Sequence, residues 1–172
     1  MTGDIASSVG PGTMIEPPFG LRQAGAIPYR VVDGKVEVLL ITSRRSGRWV
    51  IPKGNVAAGS TAIKAAEAEA FEEAGVRGVI EGGTPLGSYT YLKRHASGDM
   101  KPAVVEVYLL RTTRQAKKWR EKAQRTVAWV SIEQAIARHG EPGLAPLLDR
   151  LVEIEPMLVR GDEPVSRVRF GS

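Results

Sequence analysis

The sequence predicts an α+β fold, an α/β/α sandwich in which helices cover a mixed β-sheet. Short apolar strands occupy the first and middle parts of the chain, an alanine-rich helix interrupts them, and apolar-faced helices follow the last strand. Elements of this kind pack as layers around a shared core. A chain of 172 residues can bury about two thirds of its unfolded surface, which is enough for one core.

The strands are predicted from apolar runs rich in β-branched residues. Residues 24–32 and 35–42 flank Asp33-Gly34, a dipeptide typical of a tight β-hairpin. Short runs of the same kind predict further strands at 49–51, 76–80, 86–93, 103–111 and 126–130. Strands are therefore expected on both sides of the middle helix.

The middle helix has recognisable start and stop signals. Ser60 is a favourable N-cap for a helix that begins at Thr61, after a turn bracketed by residues 52–54 and Gly59. Gly75 stands where helices commonly end in a left-handed residue. Alanine favours the helical conformation, and its small side chain lets a helix lie close to a sheet.

Two helices are predicted after the last strand. Ser131 is expected to cap a helix that runs to about His139. A second helix with an apolar face is expected from Gly143 to about Ile154.

The predicted domain organisation has three parts. Residues 1–20 are rich in Gly, Pro and Ser and are expected to form a flexible N-terminal arm. Residues 21–155 are expected to form a single domain, and residues 156–172 a loosely ordered C-terminal tail.

The composition excludes some functions. The chain has no cysteine, which excludes a disulfide framework and a thiol nucleophile. It has no apolar run near the ~20 residues that span a bilayer, and no signal-peptide pattern, so a cytoplasmic protein without a membrane partner is expected. Its net charge of +5 suits an anionic ligand, but no nucleic-acid-binding motif is present, so nucleic acid is an unlikely partner.

Three acids of the middle helix are the candidate metal ligands. Glu69, Glu72 and Glu73 occupy positions i, i+3 and i+4, so a helix projects them from one side. Like charges at this spacing repel, and a bound divalent cation would reverse the effect because Mg²⁺ is held by carboxylates and substrate phosphates. The alternative is a solvated acidic face on a surface helix.

The segment 54–76 resembles the signature of the Nudix hydrolases: Gly, five residues, Glu, seven residues, Arg-Glu, an aliphatic residue, any residue, Glu-Glu, any residue, Gly and an aliphatic residue. The positions that match without a gap are Gly54, Glu69, Glu72, Glu73, Gly75 and Val76. The resemblance implies an α/β/α sandwich over roughly residues 22–152 and hydrolysis of a phosphoanhydride bond with Mg²⁺ or Mn²⁺. Glu69 is the predicted base, or a metal ligand that positions the attacking water.

Two positions depart from that signature. Ser60 replaces its first Glu, and Ala68 replaces the Arg that orients the family's carboxylates. Losses of such supporting interactions commonly cost 10- to 100-fold in metal affinity or activity. Lys64 or a basic residue from elsewhere in the chain is a candidate substitute. An alternative function is therefore a catalytically weakened Nudix-like domain that binds a nucleotide or an inositol phosphate as a sensor.

A closer resemblance depends on four short matches: Arg22-Gln-Ala-Gly, Ser43-Arg44, Arg48-Trp49 and Gln124-Arg125 with Trp129. They resemble the family branch that acts on diphosphoinositol polyphosphates and diadenosine polyphosphates. In that branch, positions matching Arg22, Ser43, Arg44 and Arg125 face the substrate phosphates. Lys53 and Gly54 complete the predicted substrate-binding set. The expected partner is a polyphosphorylated small molecule, and the chain is expected to be a monomer or a homodimer.

Overall fold

The computed structural model describes residues 21–162. In this range the strands are β1 (Leu21–Val32), β2 (Lys35–Thr42), β3 (Trp49–Val50), β4 (Lys53–Asn55), β5 (Val76–Ile80), β6 (Gly87–Arg94), β7 (Met100–Gln115) and β8 (Val127–Ser131). The α-helices are α1 (Ala62–Ala74), α2 (Ile132–Arg138) and α3 (Ala145–Gly161), and short 3-10 turns lie at Lys122–Gln124 and Pro142–Leu144.

The strands form one mixed sheet. The main order is β3-β2-β1-β7-β5, with β4 added to β1, β6 to β7 and β8 to β2. β1 and β7 run parallel, whereas the other pairs are antiparallel. The predicted α+β sandwich is confirmed, because helices cover both faces of this sheet.

The first hairpin forms where the sequence predicts it. Asp33 and Gly34 both have left-handed backbone angles, with φ of 50° and 73°, as a two-residue hairpin turn of the primed type requires. Val32 pairs with Lys35 directly across this turn. The turn therefore sets the register of β1 against β2.

Successive residues of β1 alternate between two hydrophobic cores, as the pleat of a strand requires. Ile27 and Tyr29 belong to the core under α2 and α3, which is rich in Leu, Ile and Val. Ala24 and Ala26 belong to the core under α1, to which the helix contributes mostly alanines. α1 therefore lies on the opposite face of the sheet from α2 and α3.

The C-terminal part of the domain is more ordered than the sequence predicts. α3 continues through Pro156 to Gly161, so the prediction of a loose tail from residue 156 is wrong for residues 156–161. Ile154 and Leu158, four residues apart, pack against the core, and the Glu155 carboxylate accepts the Val36 backbone N–H at 3.0 Å. These contacts compensate for the one helical hydrogen bond that a proline cannot donate.

Two further strands differ from prediction. β4 forms at Lys53–Asn55, where the sequence predicts only a turn, because Gly54 pairs with Ala24 of β1. β7 is longer than predicted since it pairs with β6 and, further along, with β5.

The predicted arm at 1–20 and the residues after 162 lie outside the described range. Within 21–162, no helix combines the length and apolar character needed to cross a membrane.

Candidate active site

α1 begins one residue later than predicted. Thr61, not Ser60, is the N-cap: its backbone is extended, with φ −109° and ψ 157°, and its hydroxyl accepts the Lys64 N–H at 3.2 Å. Gly75 ends the helix in the left-handed conformation with φ 70°, as predicted. These ends fix which residues of α1 face the sheet.

Two of the three predicted metal ligands converge beside β4. Glu73 is only 7% exposed, and its carboxylate accepts the Lys53 backbone N–H at 3.3 Å. The Glu69 carboxylate packs against Gly54, where an added Cβ would come within 2.9 Å of Glu69 Cγ and closer still to the carboxylate. Gly54 thus leaves the space that the Glu69 side chain occupies.

The environment of this acid pair disfavours two negative charges. Burial is the largest cause that raises the pKa of the Glu69 and Glu73 carboxyls. The negative charge of Glu72 raises the Glu69 pKa further, that of Glu121 raises both pKa values, and the Arg125 guanidinium lowers both. Nearby positive charge therefore stabilises the ionised pair, and a divalent cation would supply more of it.

The third predicted ligand, Glu72, is paired with a cation of its own. The Glu72 side chain is 42% exposed and lies 3.8 Å from Arg120 Nη1. Among residues 21–162, no three acidic or histidine side chains come together as a metal site. The acid pair nevertheless suits Mg²⁺, which is commonly held by one or two carboxylates together with substrate phosphates.

A basic cleft of about 840 Å³ adjoins the acid pair. Its walls carry most of the predicted substrate-binding residues: Ser43, Arg44, Lys53, Gly54 and Arg125. Further cations of the wall are Arg45, Arg48, Lys93 and Arg94, whereas its acids are Glu73 and Glu141. A cleft dominated by one sign of charge concentrates ligands of the opposite sign.

Arg22 is the predicted substrate residue that does not line this cleft. Its guanidinium lies 3.3 Å from the carboxylate of Glu106, which is only 4% exposed. Glu106 also accepts the Tyr108 hydroxyl at 2.8 Å. The local pattern did not reveal this pairing, since it depends on the parallel alignment of β1 with β7.

Lys53 is held by an acid that the sequence did not single out. Its Nζ lies 2.6 Å from Glu141 Oε1 and 5.1 Å from the centre of the Tyr91 ring. Glu141 also accepts the Tyr89 hydroxyl. Burial, together with the Glu141 charge, raises the Tyr89 pKa far above its usual range, so this hydroxyl stays a donor. Glu141 follows α2 in a loop, and no sequence pattern marks it.

Arg44 and Arg125 meet at Glu121, a second acid that the sequence analysis passed over. Arg44 Nη1 lies 3.0 Å from Glu121 Oε1, and Arg125 Nε lies 3.5 Å from Glu121 Oε2. Arg125 also lies 3.3 Å from Glu73 Oε1. The available signal was that Glu121 is the single acid in the basic run from Arg114 to Arg125.

The fold and the signature helix together define the Nudix class. The family model of the NUDIX domain matches residues 21–151. The chain therefore belongs to the Nudix family, and the resemblance found in the sequence is confirmed. The prediction of an enzyme, a Nudix-type pyrophosphohydrolase, is confirmed at the level of this class.

Individual relatives agree with the family match. Nudix hydrolase 16 of Arabidopsis thaliana, a mitochondrial protein by its name, is 32% identical over 81% of this chain and 85% of its own length. A diphosphoinositol polyphosphate phosphohydrolase 3-beta of Bos taurus is 34% identical over 69% of this chain and 70% of its own length. The crystal structure of a C. elegans Ap4A hydrolase binary complex superposes with a TM-score of 0.59 and 25% identity, covering 78% of this chain and 96% of that one.

The cytoplasmic prediction is wrong on this comparison. Several of the similar Arabidopsis thaliana proteins are named mitochondrial, and one is named chloroplastic. That prediction depended on the lack of a leader pattern, and such a lack carries no information about compartment.

Proposed function

We propose that this Nudix hydrolase cleaves a phosphoanhydride bond in a polyphosphorylated small molecule, with Mg²⁺ or Mn²⁺ as cofactor. Diphosphoinositol polyphosphates and diadenosine polyphosphates are the proposed substrates. The observation that carries the proposal is the half-buried Glu69 beside the buried Glu73, which lines a cleft whose charged residues are mostly cations. Such a cleft suits a ligand with several phosphates.

The names of two relatives support this substrate class. The Bos taurus protein is a diphosphoinositol polyphosphate phosphohydrolase, and the C. elegans structure is that of an Ap4A hydrolase. Substrates of the family are small phosphorylated molecules, which agrees with the size and charge of the cleft.

The proposed reaction begins with binding of the diphosphate group beside the acid pair. A divalent cation held by Glu69 and Glu73 would supply Lewis-acid polarisation of the phosphoanhydride. Glu69 is proposed to accept a proton from the attacking water or to orient that water, because its carboxylate packs against Gly54, which lines the cleft. The Lys53 N–H holds Glu73 in position throughout.

The cations of the cleft have the complementary role. Arg45, Arg48, Lys93 and Arg94 line its wall and form no ion pair within residues 21–162. Positively charged donors of this kind stabilise the negative charge that develops on phosphate oxygens. Lys53 and Arg44 are proposed to contribute as well, although each is paired with an acid before substrate binds.

A substrate panel tests the proposal. Diadenosine polyphosphates, nucleoside triphosphates, ADP-ribose and diphosphoinositol phosphates are incubated with the protein, with and without Mg²⁺ or Mn²⁺, and phosphate products are measured. We expect metal-dependent cleavage of the first or last class. Tight binding of these ligands without turnover under any metal condition would instead support the sensor function that Ser60 and Ala68 suggest.

A further inference from the structure

We infer that Arg125 is a positioning residue for Glu73 and fills the role of the signature arginine that Ala68 has replaced. This inference depends on the proposed function, because positioning matters only if Glu73 holds a metal ion. It revises the expectation from the sequence that Arg125 binds substrate phosphates.

Each nitrogen of the Arg125 guanidinium lies within 3.5 Å of a protein oxygen, although Nε forms no hydrogen bond within residues 21–162. Nη2 lies 3.3 Å from Glu73 Oε1, Nε lies 3.5 Å from Glu121 Oε2, and Nη1 donates to the Thr42 carbonyl at 3.0 Å. The planar guanidinium therefore joins α1, the end of β2 and the segment before β8. The side chain is only 9% exposed although it lines the cleft, so most of its surface is already in contact with the protein.

Within residues 21–162, α1 supplies no cation to the acid pair, because its Lys64 is exposed and forms no ion pair. Ala68 is exposed and carries no charge. Within residues 21–162, the ion pairs to acids of α1 come from Arg120, to the exposed Glu72, and from Arg125, to the buried Glu73. Arg125 is thus the cation that contacts a member of the acid pair, and it comes from a segment far along the chain.

Glu121 holds Arg125 in this position. Its side chain is mostly buried between Arg125 and Arg44, and its backbone N–H donates to the Glu72 carbonyl at 3.1 Å. The Trp119 ring lies over Gly75, where an added Cβ would overlap it. The segment 119–125 is therefore fixed against the C-terminal end of α1, which brings a residue distant in sequence to the carboxylate it orients.

A lysine could not reproduce this arrangement. Arginine offers a rigid fork of donors that can contact several acceptors at once, whereas lysine presents a single flexible charge. If Arg125 only attracted phosphate, the Arg125→Lys variant would keep most of the wild-type activity. If Arg125 positions Glu73, the same variant would lose activity and metal affinity.

The test compares purified Arg125→Ala, Arg125→Lys and Glu121→Gln with wild type. Mn²⁺ binding is measured by calorimetry without substrate, and kcat and KM are measured with the substrate that the panel identifies. Arg150→Ala is the matched control, because Arg150 also donates to a backbone carbonyl, that of Leu86 at 2.7 Å, but forms no ion pair within residues 21–162. Thermal unfolding of each variant confirms that it is folded.

Arg125→Ala is expected to weaken Mn²⁺ binding about 10- to 100-fold, in the range for lost supporting contacts of metal ligands, and to lower kcat. Arg125→Lys should show the same losses of Mn²⁺ affinity and kcat as Arg125→Ala, and Glu121→Gln should show smaller losses of both. Arg150→Ala should match wild type in both measurements. Unchanged Mn²⁺ binding with a raised KM in Arg125→Ala, rescued by Lys, would overturn the inference and leave Arg125 as a phosphate contact. A wild-type protein that binds Mn²⁺ but cleaves nothing would overturn the proposed function instead.

Discussion

The two faces of the sheet bury apolar surface in different ways. Under α2 and α3 the core contains large side chains such as Leu144, Leu147, Leu148 and Leu151. Under α1 the helix contributes mostly alanines. Large buried side chains each contribute about 1.5–3 kcal/mol of transfer free energy, whereas alanine contributes much less but allows close approach. α2 and α3 therefore contribute more buried apolar surface than α1, whose small side chains hold the acid pair close to β4.

Glu73→Gln should have the largest effect on activity. It removes one proposed metal ligand, so metal-dependent turnover should fall to background, while the melting temperature should hold or rise because an unfavourable buried charge is lost. Glu72→Gln should cost less, since Glu72 is exposed and paired with Arg120. Turnover assays and thermal unfolding measure both effects. Normal turnover in both variants would discard the assignment of the site.

Leu148→Ala should have the largest effect on stability. Leu148 of α3 is fully buried. Truncation of such a side chain typically lowers the free energy of unfolding by 2–5 kcal/mol, and we expect a loss of about 3 kcal/mol here. Denaturant unfolding should show this loss, while kcat measured well below the melting temperature should stay at the wild-type value. A large fall in kcat with little loss of stability would contradict the division between the two faces.

Gly54→Ala should affect activity more than stability. The new methyl group would overlap the Glu69 carboxylate and displace it, so we expect turnover to fall about 10- to 100-fold, as for other disturbed metal ligands. Gly161→Ala is the control, because a Cβ there meets nothing within 4 Å. Equal turnover in the two variants would mean that Glu69 does not act from the position seen here.

Thr61→Ala should have the smallest effect, on the stability of α1. Loss of the N-cap hydrogen bond to Lys64 N commonly costs about 1 kcal/mol. Ser60→Ala should leave the free energy of unfolding unchanged, because Thr61 forms the cap. If denaturant unfolding showed a loss of stability for Ser60→Ala and none for Thr61→Ala, Ser60 would be the N-cap, as the sequence predicts.

Much of the fold was predictable because its signals are local. The turn at Asp33-Gly34, the left-handed end of α1 at Gly75 and the N-cap at Ser131 each depend on a few neighbouring residues, and all three are confirmed. The errors occurred where tertiary contacts override local preference. β4 forms by pairing with β1, and α3 continues past Pro156 because its apolar face packs on the core.

The candidate site was predictable in its acids but not in the partners of its cations. The sequence alone determined the spacing of Glu69, Glu72 and Glu73, since helical geometry follows from local residues. Only the tertiary structure decided that Glu69 and Glu73 converge beside β4 while Glu72 pairs with Arg120. It also decided that Lys53 pairs with Glu141, 88 residues away, and that Arg125 reaches Thr42, 83 residues away. The physical reason is that an ion pair depends on distance and burial in the folded chain, which no local pattern records.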